Sequence, residues 1–220
     1  AYDKNEVYSK ILYVPFLPYA RQDKEVGNNN TFAFHSFAKI MRTMNWDCIY
    51  SNDIHNLDCQ LIPNLINISP DLRLVSSYDY ILFPDEGAKN RYIDKVSTKI
   101  DKVSTKYVFA EKSRDAKTGN IVDIKIPKAH RFKGKKIIVI DDICDGGRTF
   151  IELAKKMPVS AYLDLYVTHG IFSKGVCELI RYYQQIKTTN TFHYRIWHGG
   201  LKGPAKQSPI WKGIYEAIKN

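Results

Sequence analysis

The chain contains no run of about 18 consecutive apolar residues, which excludes a readable membrane span. Cysteine is scarce: Cys48, Cys59, Cys144 and Cys177 are scattered, and none forms a CxxC pair. That argues against a zinc site or a disulfide framework and for thiols in a cytoplasmic protein. The opening Ala1-Tyr2-Asp3-Lys4-Asn5-Glu6 lacks the shape of a signal peptide. Acidic residues are outnumbered, 23 against 33 basic, for a net charge of +10. The excess is spread along the chain rather than gathered in a tail or an amphipathic stripe. It therefore favours small polyphosphate ligands over nucleic acid. The 44% hydrophobic and 25% charged fractions are ordinary for a globular protein, and 220 residues suffice for one large domain or two small ones.

What the chain does have is a stretch from Lys135 to Phe150. Ile137-Ile138-Val139-Ile140 reads as a strand buried on both faces, as in a parallel sheet. Directly after it come Asp141 and Asp142, then Asp145-Gly146-Gly147-Arg148-Thr149, then Ile151 to Lys156, which suits a helix. Strand, loop and helix in that order place the loop where open α/β sheets bind ligands. Glycines let the backbone approach an anion, and N–H groups opening a helix suit a phosphate. The aspartates repel a phosphate, but they can accept hydrogen bonds from vicinal hydroxyls or bind a cation through water. A ribose-phosphate site fits all of this. A receiver-type Mg²⁺ cluster or a plain Asp-Gly turn fits the stretch alone equally well.

Taken in order, residues 11–16 read as a buried strand closed by Pro15 and Pro18, and Thr31 can cap a helix with Phe34, Phe37, Ala38, Ile40 and Met41 on one face. Trp46 to Tyr50 is a short strand, so Arg21, Gln22 and His55 lie on loops at one sheet edge. Residues 63–77 read as a connection. Tyr80 to Phe83 and Tyr107 to Ala110 are strands, with a helix opening at Pro84 to Arg91 between them. Residues 94–99 and 101–106 duplicate Asp-Lys-Val-Ser-Thr-Lys on a surface helix or turn. Glu111 to Asn120 is a polar loop long enough to move, and Ile121 to Ile126 alternates as a strand. Ala161 to Thr168 is a strand ending in His169-Gly170, Val176 to Tyr183 a helix, and Pro209 opens a last helix through Ile218. Alternating β/α units predict an α/β protein with mainly parallel sheets.

With the loops laid out, the chain resembles the ribose-phosphate diphosphokinase family, the synthetases of phosphoribosyl pyrophosphate. Pro18-Tyr19-Ala20-Arg21-Gln22-Asp23 is similar to that family's ATP-binding Arg-Gln loop, and Asp53-Ile54-His55 to its Asp-Leu-His. Pro84-Asp85-Glu86-Gly87-Ala88-Lys89-Asn90-Arg91 resembles its Pro-Asp-x-Gly-x-x-x-Arg, and Lys112-Ser113-Arg114 the Lys-x-Arg of its catalytic loop. Asp141 to Thr149 resembles its ribose-5-phosphate loop, and Thr168-His169-Gly170-Ile171-Phe172-Ser173 its Thr-His-Gly-Leu-Phe-Ser. Each match is weak alone; their common order over nearly the whole chain is specific.

The resemblance implies two type I phosphoribosyltransferase-like domains with mainly parallel sheets, the first truncated at its N-terminus. Residues 1–70, joined by a C-terminal helix at 208–220, would form an ATP-side domain, and residues 71–207 the domain with the ribose-phosphate loop. It implies transfer of the diphosphoryl group of ATP to the anomeric hydroxyl of a ribose 5-phosphate moiety, releasing AMP, with Mg²⁺ as cofactor. Lys112 and Arg114 would stabilise charge on the transferring group. Arg21, Gln22 and His55 would bind ATP, His55 and Asp85 would hold Mg²⁺, and Asp141, Asp142, Asp145, Gly146, Gly147, Arg148 and Thr149 would bind the ribose phosphate. His169 would fix its strand end. Cys144 lies inside the loop without a positioned base, so it reads as a bystander thiol. A cytoplasmic homo-oligomer is expected.

Two departures bear on the substrate. The family carries several dozen residues before its first matching strand, which begins here at residue 11. Its phosphate loop usually reads Asp-Thr-Gly-Gly-Thr, where this chain has Asp145-Gly146-Gly147-Arg148-Thr149. A guanidinium beside a phosphate site can bind a second phosphate bidentately. ADP-ribose, which ends in a free ribose bearing a 5-phosphoryl group, is thus an alternative acceptor, in NAD metabolism, and divergent phage relatives are expected to include such enzymes. A non-catalytic regulatory homologue would be expected to lose Lys112, Arg114, His55 or Asp85, all present. A simple phosphoribosyltransferase leaves the 18–23 and 53–55 matches unexplained.

Overall fold

A computed structural model describes residues 9–22, 33–55, 61–97, 106–114, 121–189 and 207–208. The chain divides into two compact units, Ala1–Pro70 and Asp71–Asn220.

In the first unit, β1 (Ile11–Tyr13), β2 (Cys48–Asn52) and β3 (Leu65–Ile68) form a parallel sheet in that order, with α1 (Ala33–Thr43) between β1 and β2 in sequence. β1 is shorter than the 11–16 read from sequence. Val14 N–H still donates to the Tyr50 carbonyl at 2.9 Å, but Pro15 has no N–H to continue the ladder. Helix α1 buries Phe34, Ala38 and Met41, an i, i+4, i+7 stripe. Ile40, expected on that face, is 55% exposed because it falls well round the helix from Phe34. β3 lies where a connection was expected. It is a four-residue strand at the sheet edge, Ile66 faces out at 44% exposure, and Asn67 Oδ1 accepts the Ile54 N–H at 2.9 Å.

The second unit carries a six-stranded sheet in the order β11-β10-β9-β8-β4-β5, all pairings parallel. Its strands are β4 (Tyr80–Phe83), β5 (Lys106–Phe109), β8 (Lys136–Cys144), β9 (Tyr162–Gly170), β10 (Gln185–Thr189) and β11 (Gln207–Ser208). A hairpin of β6 (Glu111–Arg114) and β7 (Ile121–Lys125) stands apart from the sheet. The unit's α-helices among the described residues are α2 (Glu86–Ser97) and α3 (Arg148–Lys155). β8 explains the apolar run: Ile137 and Val139 pack with Phe150 and Leu153 of α3, while Ile138 and Ile140 pack with Ala88, Tyr92 and Val96 of α2. Both faces of the strand are covered, as a parallel sheet requires.

Several expectations are corrected. β8 runs on through Asp141 and Asp142 to Cys144, so these aspartates sit in the strand rather than after it. Glu111–Arg114, read as loop, pairs with β7. Val176–Tyr183, expected to be a helix, consists of turns around a single 3-10 turn at Leu179–Arg181. Short helices owe their stability to packing. Here only Leu179 and Tyr183 are fully buried, Tyr183 donating its hydroxyl hydrogen to the Phe150 carbonyl at 2.8 Å, while Val176 and Tyr182 pack part-exposed and Ile180 stays 53% exposed. The expected helix from Pro209 and its docking on residues 1–70, the cap at Thr31 and most of the 94–106 duplication lie outside the described residues.

β9 ends at Gly170 beside β10. A Cβ built there would stand 2.3 Å from Phe172 Cε2 and 2.9 Å from Thr188 Oγ1, which also accepts the Gly170 N–H at 3.0 Å. Gly170→Ala is therefore expected to lose about 1–3 kcal/mol in urea unfolding, as overpacking does. An unchanged midpoint would contradict this packing.

Candidate functional site

In the first unit, Arg21 and Gln22 lie on the connection leaving β1, and His55 on the one leaving β2. Parallel strands put both connections at one sheet edge. Arg21 and Gln22 are exposed, and the Gln22 N–H donates to the Tyr19 carbonyl at 2.7 Å. Asp53 is 1% exposed with φ +40, its N–H donating to the Ile68 carbonyl at 2.9 Å. His55, two residues on, is half-buried.

In the second unit, Asp85 follows β4 and begins α2. Its Oδ1 accepts the Ala88 N–H at 2.8 Å, a helix cap. Its Oδ2 meets Lys112 Nζ at 2.9 Å, and that Lys112 side chain is only 7% exposed. The pairing fixes the start of the Lys-x-Arg segment against the end of β4. Arg114 ends β6. One strand over, Arg91 of α2 faces Asp142 at 3.5 Å, with side chains 15% and 6% exposed. Asp141 Oδ1 accepts the Asp142 N–H at 2.9 Å. Burial pushes the Asp141 carboxyl well above the ordinary carboxylate range. The charge of Asp142, a side-chain hydrogen bond with Asp142 and the charge of Asp85 add to the rise, against that N–H contact. The carboxyl ends of β4 and β8 thus gather three carboxylates beside Arg91 and Lys112, and a sugar diol or a cation would be drawn there.

The loop follows. Gly147 takes φ +76 and precedes α3, and a Cβ on it would press on Leu179 Cδ1 at 3.3 Å. Glycine is required there both for its backbone and for its lack of side chain. Asp145 and Arg148 are exposed, Gly146 and Thr149 half-buried. Cys144 is fully buried and its thiol is pushed up to about 12, by burial first and then by Asp141 and Asp145, with the Gly147 N–H opposing. A thiol so protonated is no nucleophile at neutral pH. His169 is 2% exposed at the end of β9.

Among the described residues no group of three His, Cys, Asp or Glu side chains could enclose a metal ion. Mg²⁺ needs no such cage, since it is commonly held by one or two carboxylates, water and substrate phosphates. Asp85 and Asp141 fit that manner of binding. One residue escaped the sequence reading as a working part: Arg91 stood inside a matched motif without a role, and the pairing across to Asp142 is a tertiary contact. Among the described residues no helix is long and apolar enough to cross a membrane.

A parallel sheet flanked by α2 and α3, with an acidic strand end and a glycine loop, defines the class: a type I phosphoribosyltransferase-like α/β fold. The phosphoribosylpyrophosphate synthetase of Mycobacterium smegmatis has the same fold, with a TM-score of 0.75 at 21% identity over 96% of this chain and 70% of that one. No protein-family model matches the chain. Ribose-phosphate pyrophosphokinase of Thermococcus kodakarensis is 26% identical over 197 residues, 82% of this chain and 65% of that protein. The Mycobacterium leprae protein of the same name is 26% identical over 81% of this chain and 58% of its own length. The chain is similar to the ribose-phosphate pyrophosphokinases and spans about two thirds of the length of the relatives it matches.

Two outcomes test this geometry. Arg91→Met should cost about 3 kcal/mol in urea unfolding, since it removes the guanidinium that faces the buried Asp142 carboxylate. A loss no greater than that of an exposed lysine on the same helix would contradict the pairing. Asp141, with a raised carboxyl, contributes stability that is present in full below its ordinary value of 3.8 and is lost as pH rises through its raised value. Asp141→Asn should therefore be more stable than the wild type at neutral pH, the gap closing on acidification; thermal melts across that range measure it.

Proposed function

We propose that the chain is a ribose-phosphate diphosphokinase-type transferase. The anomeric hydroxyl of a ribose 5-phosphate moiety attacks the β-phosphorus of ATP. An oxygen–phosphorus bond forms to the sugar, the bridge to the α-phosphorus breaks, and AMP leaves with the bridging oxygen. The observation that carries this reading is the convergence of Asp85, Lys112, Arg91, Asp141 and Asp142 beside the glycine loop of the second unit. The relatives named ribose-phosphate pyrophosphokinase support it.

In this reading Asp141 and Asp142 orient the ribose through its vicinal hydroxyls, so that the anomeric oxygen presents to the nucleotide. The loop from Asp145 to Thr149 receives the 5-phosphate on its amides, with Arg148 at its rim. Lys112 and Arg114 neutralise charge on the transferring diphosphoryl group, and Arg21, Gln22 and His55 bind ATP. Mg²⁺, held by Asp85 and the substrate's phosphates, would supply further neutralisation of the polyphosphate. Lys112 has its charge committed to Asp85 at 2.9 Å, so it is already ordered where the diphosphate must arrive.

A second acceptor is favoured by one feature. Arg148 adds a guanidinium to the loop, and ADP-ribose would offer it the phosphoryl group adjoining the ribose 5-phosphate. The same chemistry would then yield ADP-ribose pyrophosphate.

AMP release from ATP, followed with ribose 5-phosphate and with ADP-ribose, tests the reading. Activity with either acceptor should fall at least about 100-fold in Lys112→Ala, as expected when a donor to developing charge is removed. Inactivity of the wild type with both acceptors would remove the kinase reading.

A further inference from the structure

We propose that Lys174 is a phosphate-binding residue of the glycine loop, a second cation beside that of Arg148, reading a phosphorylated ribose. This rests on the sugar-phosphate reading of that loop and assigns it a residue no matched motif contains. The turn after β9 is tied to the loop by backbone contacts. Ile171 and Phe172 donate their N–H groups to the Cys144 carbonyl at 2.8 and 3.0 Å, and Ser173 donates to the Asp145 carbonyl at 3.2 Å. The turn closes on itself where Gly175 N–H donates to the Phe172 carbonyl at 2.7 Å. Phe172 adopts φ +48, unusual for a bulky residue, while its ring is buried at 5% exposure. Packing of that ring fixes the turn in one form.

Lys174 sits at the tip of this turn. Its stem lies across Gly146: the position a Cβ would take there is 3.6 Å from both Cδ and Cε of the lysine and 3.8 Å from Cγ. The stem thus lies within van der Waals reach of the loop at Gly146, and the ammonium follows one bond beyond Cε. Lys174 is exposed, and its ammonium makes no hydrogen bond or ion pair with any described residue. A lysine serving only solubility would extend into water. This one lies along a loop whose backbone is built for close approach, with its charge unspent. Lysine is suited to this place, because a point charge with freely rotating donors can meet a phosphate from several directions.

Equilibrium titration of the full chain with ribose 5-phosphate and with ADP-ribose tests the assignment. Lys174→Met keeps the apolar stem on Gly146 and removes the charge, and Lys174→Arg restores a cation. Loss of a charged hydrogen bond predicts binding roughly tenfold or more weaker in Lys174→Met, with a shallower salt dependence, and recovery in Lys174→Arg. Weakening of both ligands would place the contact on the 5-phosphate, and weakening of ADP-ribose alone on the adjoining phosphoryl group. If the wild type binds and Lys174→Met binds equally well, the lysine assignment fails while the loop reading stands. If the wild type binds neither ligand, both fail.

Discussion

Three carboxylates crowd the carboxyl ends of β4 and β8, and the second unit is arranged to tolerate them. Asp85, Asp141 and Asp142 stand close enough for the first and last to raise the proton affinity of the middle one. Like charges with little water between them repel strongly, so cations must come from elsewhere in the fold. Arg91 comes from α2 and Lys112 from β6, each largely buried. Asp85 links the two supplies, because the carboxylate that holds Lys112 also caps the helix that carries Arg91. The acidic site, the helix start and the hairpin are one electrostatic unit.

The sheet makes that unit possible. β8 is nine residues long and pairs with β4 over its first half and with β9 over nearly its whole length. The apolar half is gripped from both faces by α2 and α3, and this holds the polar half in place. Position thus comes from hydrophobic packing, and chemistry from the residues beyond it. Gly147 and Leu179 connect the two, since the glycine's missing side chain is what lets the turn near β10 pack beneath the loop.

Legibility in the sequence followed the strength of local signals. Ile137 to Ile140 could be read because four branched apolar residues between charges admit few other structures. The loop beyond could be read because paired glycines after aspartates have a short list of uses. β3 could not, because its Ile66 faces solvent and its Asn67 is polar for a tertiary reason, the contact with the Ile54 N–H. The segment 176–183 has helical spacing, yet turns around one 3-10 turn bury its Leu179 and Tyr183 with less than a helix. Arg91 and Lys174 were invisible as partners, because each acts on a residue far along the chain: 51 positions separate Arg91 from Asp142 and 28 separate Lys174 from Gly146.

The residual charge at Asp141 is itself an argument about purpose. A fold selected for stability alone would replace a carboxyl whose burial raises its proton affinity, because the asparagine is nearly the same shape and carries no repulsion. Where a local rule is broken without a structural return, the return is sought in binding. The neighbours narrow what could be bound. Arg91 and Lys112 neutralise part of the cluster from within, so the ligand need not bring a full complement of positive charge. A neutral diol that donates hydrogen bonds satisfies Asp141, while the glycine loop next to it, flanked by Arg148 and Lys174, asks for an anion. A ligand with hydroxyls at one end and a phosphate at the other meets both demands, and a bare cation meets only the first.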